Sequence, residues 1–246
     1  MPTEILHIET TDGVCPATLV TPDGEGPWPG VICYMDAGGV RPAMVDVAAN
    51  IAAFGYAVLV PEMFYRHGEY APFDMQNVFS DAGERDRLMS MVFSLSKEMA
   101  LSDTAAFLDA LSAHPAVAGD RVGTTGYCMG GGISLAAAGR FPDRIVAAAS
   151  FHGGQLATDD PDSPHLAAAT TRARVYVAAA SDDRSFPAEQ EERLAAALSD
   201  AGVDHTIETY PAAHGFVLAD TPVYDEACAR RHDAALEALF GATLTA

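Results

Sequence analysis

Residues 121–132 read RVGTTGYCMGGG, an apolar, β-branched run that ends on a cysteine standing between glycines. The next stretch, ISLAAAGR at 133–140, suits a helix, so the whole reads as strand, sharp turn and helix. A residue at such a turn is held in a strained backbone conformation that lifts its side chain clear of the sheet. Its neighbours must then lack bulk, and Gly126 and Gly130 meet that need. The residue lifted here is Cys128, and a thiol is a strong nucleophile at neutral pH once a base takes its proton.

Outward from this turn the pattern repeats. Upstream, Glu4 to Glu9 and Ala17 to Thr21 read as an antiparallel pair joined through Asp12 and Gly13. GVICYM at 30–35 and YAVLVP at 56–61 read as buried strands, with a helix over 41–53 between them that stops at Gly55. Residues 62–80, irregular and rich in aromatics, suggest a long loop over a site. Helices are expected over 84–96 and, capped by Ser102, over 102–113. Beyond the turn, RIVAAASFHGG, RARVYVAAAS and DHTIETYP read as strands, separated by a loop over 155–171 and a helix over 187–201. A last helix is expected over 223–240. Alternation of this kind implies an α/β fold with a mostly parallel sheet covered on both faces, in a single domain.

The composition narrows the function. With 14 basic against 34 acidic residues the formal charge is −20, which disfavours nucleic acid and anionic membrane as partners. An anionic substrate would be repelled at long range, so a site for one needs its own arginine. The four cysteines have no C-x-x-C spacing, which suggests neither a zinc site nor a disulfide framework and fits a reducing cytoplasm. Cys15, Cys33 and Cys228 read as small buried hydrophobes. Gly130 to Gly132 lack the G-K-[ST] of a phosphate loop. No targeting segment is visible, and monomer and homo-oligomer both stay open.

A lifted nucleophile needs a base and an acid to orient it, in the chain order nucleophile, acid, histidine. After the strand VYVAAAS comes DDRSFP at 182–187, and after TIETYP comes AHGF at 213–216. His214 is thus the candidate base. His152, in FHGG, reads as a wall or structural residue.

Taken together, GYCMGG, DDRSFP and AHGF resemble the dienelactone hydrolase family of the α/β-hydrolase fold, over nearly the whole chain. The resemblance implies a Cys-His-Asp triad of Cys128, His214 and Asp183, the acid standing four residues before Pro187, with Asp182 as its rival. It implies an oxyanion hole from the backbone N–H groups of Met129 and Ala37. Where the family has a glutamate against the resting thiol, this chain has Asp36. The family binds a substrate carboxylate through arginines; Arg87 matches one, and Arg66 is a candidate for the other, because GFVLAD has a leucine, Leu218, where the second would stand. The implied activity is hydrolysis of a small ester or lactone through a thioester, with no metal or organic cofactor. The alternatives are a broader carboxylesterase or thioesterase, and a non-catalytic redox-sensing or binding protein.

Overall fold

The computed structural model describes residues 1–244. Eight strands form one sheet: β1 (Thr3–Thr10), β2 (Gly13–Val20), β3 (Trp28–Tyr34), β4 (Ala57–Pro61), β5 (Val117–Tyr127), β6 (Ile145–Phe151), β7 (Arg174–Asp182) and β8 (His205–Ala213). Their spatial order is β1-β2-β4-β3-β5-β6-β7-β8. β2 runs antiparallel to β1 and β4, and every pair from β4 to β8 is parallel. The first hairpin turns on Thr11 and Asp12, one residue earlier than expected, and Thr10 pairs with Gly13.

Six α-helices cross over between strands or close the chain: α1 (Pro42–Ala53), α2 (Ala82–Ser94), α3 (Lys97–Ala113), α4 (Met129–Arg140), α5 (Ala188–Asp200) and α6 (Glu226–Thr243). Successive residues of a strand point to opposite faces, and β5 shows which helix covers which. A Cβ on Gly123 would strike Phe240 of α6, whereas the neighbouring Thr124 hydroxyl lies 2.8 Å from that of Ser134 on α4. α1 packs beside α6, and α3 beside α4. Two helical layers therefore cover the central strands. β4 and β6 are buried at every position, and the alanines of IVAAASF let the helices of both layers come close.

Three expectations need correction. Ser96, not Ser102, caps α3, its hydroxyl accepting a hydrogen bond from Met99 N at 3.2 Å. Met99, Ala100 and Leu101 are good helix formers, so the helix begins a turn and a half earlier. α6 starts at Glu226 because the Asp225 carboxylate accepts from Cys228 N at 2.8 Å. The segment over 62–80 is only partly a loop over a site: Met63, Phe64, Phe73, Met75 and Val78 are buried in the core. No helix among the described residues is long and apolar enough to cross a membrane.

Candidate active site

The turn between β5 and α4 has the geometry the glycines call for. Cys128 sits at φ 54°, ψ −118°, a left-handed conformation costly for a residue with a Cβ. A Cβ on Gly126 would land on the Gly130 carbonyl, and one on Gly130 would lie 2.5 Å from the Met35 carbonyl oxygen. Two turns of backbone are thus pressed together, and the side chain between them is pushed outward to a half-buried position.

Two loops at the same edge of the sheet bring Asp183 and His214, the candidate acid and base. Asp183 follows β7, and its carboxylate is almost wholly buried, at 2 % exposure. One oxygen, Oδ1, accepts from Ser185 N at 2.8 Å and Ser185 Oγ at 2.6 Å, a turn in which an Asp side chain satisfies the backbone two residues on. The other, Oδ2, is 2.7 Å from His214 Nδ1. His214 follows β8; its N–H donates to the Asp182 carbonyl at 3.3 Å, and the next residue, Gly215, takes φ 100° to turn the chain. Behind it Phe216, Val217 and Leu218 are buried and anchor the loop.

Asp182 contributes its backbone to this junction, while its side chain is exposed. The structure therefore favours Asp183 of the two neighbouring acids. Burial opposes charging of His214, but the hydrogen bond to Asp183 and the neighbouring Cys128 sulfur outweigh it and raise its pKa well above the ordinary 6.5. Burial likewise opposes ionisation of Asp183, yet His214 and Ser185 lower its pKa below the ordinary 3.8.

The His214 ring also meets His152 edge to face at 5.2 Å. His152 is buried at φ 40°, packed against Tyr127 and Phe216 as well, with no hydrogen-bond partner for either ring nitrogen among the described residues. Burial and the neighbouring histidines lower its pKa, so the ring is a neutral wall behind His214.

Cys128, Asp183 and His214 open on one cavity of about 620 Å³. Its wall is apolar, with Met89, Val92, Leu95 and Ile133 inside and the exposed rings of Phe79 and Phe93 at the rim. Met129, the first residue of α4, lines it too, and its N–H has no carbonyl four residues back to bond. Ala37 N lies in the turn after β3, beside Met35, which Gly130 abuts.

The other sequence candidates lie elsewhere. Asp36 does not turn to the thiol: its two oxygens take Arg41 Nη1 at 2.5 Å and Nη2 at 3.0 Å, and Oδ1 also accepts from Gly38 N. One methylene shorter than glutamate and five residues from an arginine, it closes locally instead of reaching out. Arg87 stacks 3.8 Å above Phe73, pairs with Glu84 at 2.6 Å and does not line the cavity. Arg66 is likewise absent from the cavity wall, being held by Asp12 at 2.7 Å and by the buried Asp103 at 2.8 Å. Leu218 is buried in the core and faces no site.

Sequence reasoning missed three residues: Ser185, signalled by the D-x-S spacing after β7; Arg41, whose second partner Asp220 is 179 positions away; and Arg184 on the cavity wall. The described residues contain no group of three or more His, Cys, Asp or Glu able to hold a metal ion.

The sheet order, the two helical layers and a sharp strand-to-helix turn at Cys128, faced by a histidine and a buried acid from two other strand ends, define an α/β-hydrolase. Residues 15–244 match the dienelactone hydrolase family, and the chain belongs to it. A protein of Yersinia pestis assigned as a carboxymethylenebutenolidase is 30% identical over 218 residues, covering 85% of this chain and 76% of its own. The carboxymethylenebutenolidase of Pseudomonas putida is 26% identical over 147 residues, 59% of this chain and 60% of its own. A crystal structure from Klebsiella pneumoniae, assigned as a dienelactone hydrolase, superposes with a TM-score of 0.84 at 24% identity over 98% of both chains, a likeness of fold. The protein is a carboxylic ester hydrolase of this family.

Proposed function

We propose that this hydrolase cleaves a small ester or lactone by acyl transfer through Cys128. His214 takes the proton from Sγ, and the sulfur attacks the substrate carbonyl carbon. The oxyanion that forms is held by the N–H groups of Met129 and Ala37. The carbonyl re-forms, the C–O bond to the leaving oxygen breaks, and His214 returns its proton to that oxygen. In a lactone the freed hydroxyl stays on the acyl group. Water, deprotonated by His214, then attacks the thioester, and the acid departs as the thiol recovers its proton. Asp183 fixes the imidazole with Nε2 toward the sulfur and balances its charge in each step.

The observation that carries this reading is Cys128 at φ 54° on the wall of a cavity it shares with a His214–Asp183 pair 2.7 Å apart. The apolar wall favours substrates with more hydrocarbon than a bare lactone ring. Intact-mass analysis during turnover of a p-nitrophenyl ester tests it: an acyl group should appear on Cys128, and Cys128→Ala should lose both adduct and turnover. Full activity in Cys128→Ala would overturn the mechanism.

A further inference from the structure

Four ionisable side chains besides His214 and Cys128 line the catalytic cavity: Lys97, Asp162, Asp183 and Arg184. Lys97 is spent on Asp162, with Nζ 3.0 Å from Oδ1 and 2.9 Å from the backbone carbonyl. Asp183 is spent on His214 and Ser185. Arg184 has no hydrogen bond and no ion pair to any described residue, although the chain carries 34 acids against 14 bases. Arg66 and Arg87 each hold carboxylates of the protein itself.

The turn explains why Arg184 is left open. Its neighbour Asp183 points inward, and Ser185 N and Oγ close onto the same carboxylate, so Arg184 is the outer residue of a turn fixed on both sides. The backbone is anchored by Gln155 N and Nε2, which donate to the Ser185 carbonyl at 2.7 and 3.2 Å, while Arg184 is exposed and lines the cavity. Apart from this cation, the Lys97–Asp162 pair and Ser96, the wall toward α2 is hydrocarbon, from Phe79, Met89, Val92, Phe93 and Leu95.

We propose that Arg184 is the specificity-determining cation of this site. The substrate class is then an ester or lactone with an apolar alkyl or aryl portion, laid against the α2 wall, and an anionic group such as a carboxylate that reaches Arg184. This rests on the reading of Cys128 as nucleophile only for the word substrate; the anion site itself stands on the unpaired guanidinium. In a strongly negative protein, one open arginine at the cavity locally offsets a field that otherwise repels such a ligand.

Two arms test it. The first measures binding of 4-phenylbutyrate and of neutral 4-phenylbutanol to Cys128→Ala, with and without Arg184→Gln, by calorimetry. A charge-assisted contact to an arginine exposed at a cavity wall is screened by water and corresponds to roughly threefold to tenfold in affinity. Arg184→Gln should weaken the acid by about that factor more than the alcohol, and Arg184→Lys should recover part of the loss. Equal weakening of acid and alcohol, or none, would overturn the proposal. The second arm compares p-nitrophenyl pentanoate with the mono-p-nitrophenyl ester of glutaric acid on the otherwise unmodified enzyme. Arg184→Gln should lower the anionic-to-neutral ratio of kcat/KM by roughly the same factor, chiefly through KM. A ratio that stays within about twofold would count against Arg184, while no turnover of either ester beside a discriminating first arm would count against the proposed function alone.

Discussion

Arg41 and Asp36 are joined by two parallel hydrogen bonds in the interior, Nη1 to Oδ1 at 2.5 Å and Nη2 to Oδ2 at 3.0 Å, each side chain 7 % exposed. The same guanidinium turns its other edge to Asp220, with Nε 2.6 Å from Oδ2 and Nη2 3.1 Å from Oδ1. Asp36 precedes Ala37 in the turn after β3, and Asp220 belongs to the loop beyond His214. One arginine thus ties the loop of a proposed oxyanion donor to the loop of the proposed base.

Removing that tie leaves a buried carboxylate without a counter-charge. Arg41→Met should therefore cost roughly 3–5 kcal/mol of stability, read from the denaturant midpoint, since breaking a buried pair from one side is far worse than replacing both. The double variant Arg41→Met with Asp36→Asn should recover part of the loss. In the folded single variant kcat should fall more than KM rises, because the two loops are no longer held in register. A stability loss under about 1 kcal/mol would show that the bridge is incidental.

The acid can be separated from its neighbour. Asp183→Asn should lower kcat/KM on a p-nitrophenyl ester by at least about a hundredfold, through loss of the tautomer and of charge balance, whereas Asp182→Asn, an exposed side chain, should cost little. Stability should report the same pair. The raised pKa of His214 means that its contribution is complete below pH 6.5, the ordinary value, and fades as pH climbs through the folded value of about 10. The lowered pKa of Asp183 means that its contribution is complete above 3.8 and fades at more acid pH. The gap in stability between the unmodified protein and Asp183→Asn should thus be widest between about pH 4 and 6.5 and narrow toward pH 10. A gap that widens with rising pH would contradict the assignment.

What the sequence disclosed and what it hid divide along contact distance in the chain. The turn at Cys128 was legible because its glycines and the cysteine between them are neighbours, and the alternation of strands and helices because buried strands such as IVAAASF are short apolar runs. The pairing of Asp183 with His214 was legible because each directly follows a strand, and the two strands end at the same edge of the sheet. Asp36 was misread because its partners, Arg41 and through it Asp220, depend on how two loops meet, and nothing local to YMDAGG announces that. Arg184 was passed over for a related reason. Whether an arginine is open or paired is decided by where 34 acids come to lie, and a charge count gives only their sum.

Arg66 is a structural residue that holds a buried carboxylate. Its guanidinium meets Asp103, which is fully buried, through two bonds of 2.8 Å, and Tyr65 Oη donates to the same carboxylate at 3.0 Å. Arg66→Ala should destabilise by roughly 2–4 kcal/mol, the tyrosine leaving Asp103 partly satisfied. Arg87→Ala, which breaks an exposed pair with Glu84 and a stacking contact on Phe73, should cost no more than about 1 kcal/mol. Equal losses measured by urea denaturation would mean that burial of Asp103 is not what sets the difference.

The tightness of the nucleophile turn can be tested with a methyl group. Gly130 and Gly241 both lie in helices, so Gly→Ala gains about 1 kcal/mol of helix propensity at either position. Only the surroundings differ. A Cβ on Gly241 would meet nothing within 4 Å, whereas one on Gly130 would lie 2.5 Å from the Met35 carbonyl oxygen and 2.6 Å from that of Tyr34. Those oxygens are backbone at the end of β3, and neither can swing aside as a flexible side chain would. Gly241→Ala should therefore raise stability by up to about 1 kcal/mol, and Gly130→Ala should lower it by roughly 1–3 kcal/mol despite the same helical gain. The displaced segment leads directly into Asp36 and Ala37, so Gly130→Ala should also lose about a hundredfold in kcat on a p-nitrophenyl ester, the scale of a displacement near 1 Å in a catalytic group. Thermal melts and initial rates on the two variants decide it. If Gly130→Ala melts as high as Gly241→Ala and turns over ester at the unmodified rate, close packing of α4 on β3 is not what holds Cys128 in place.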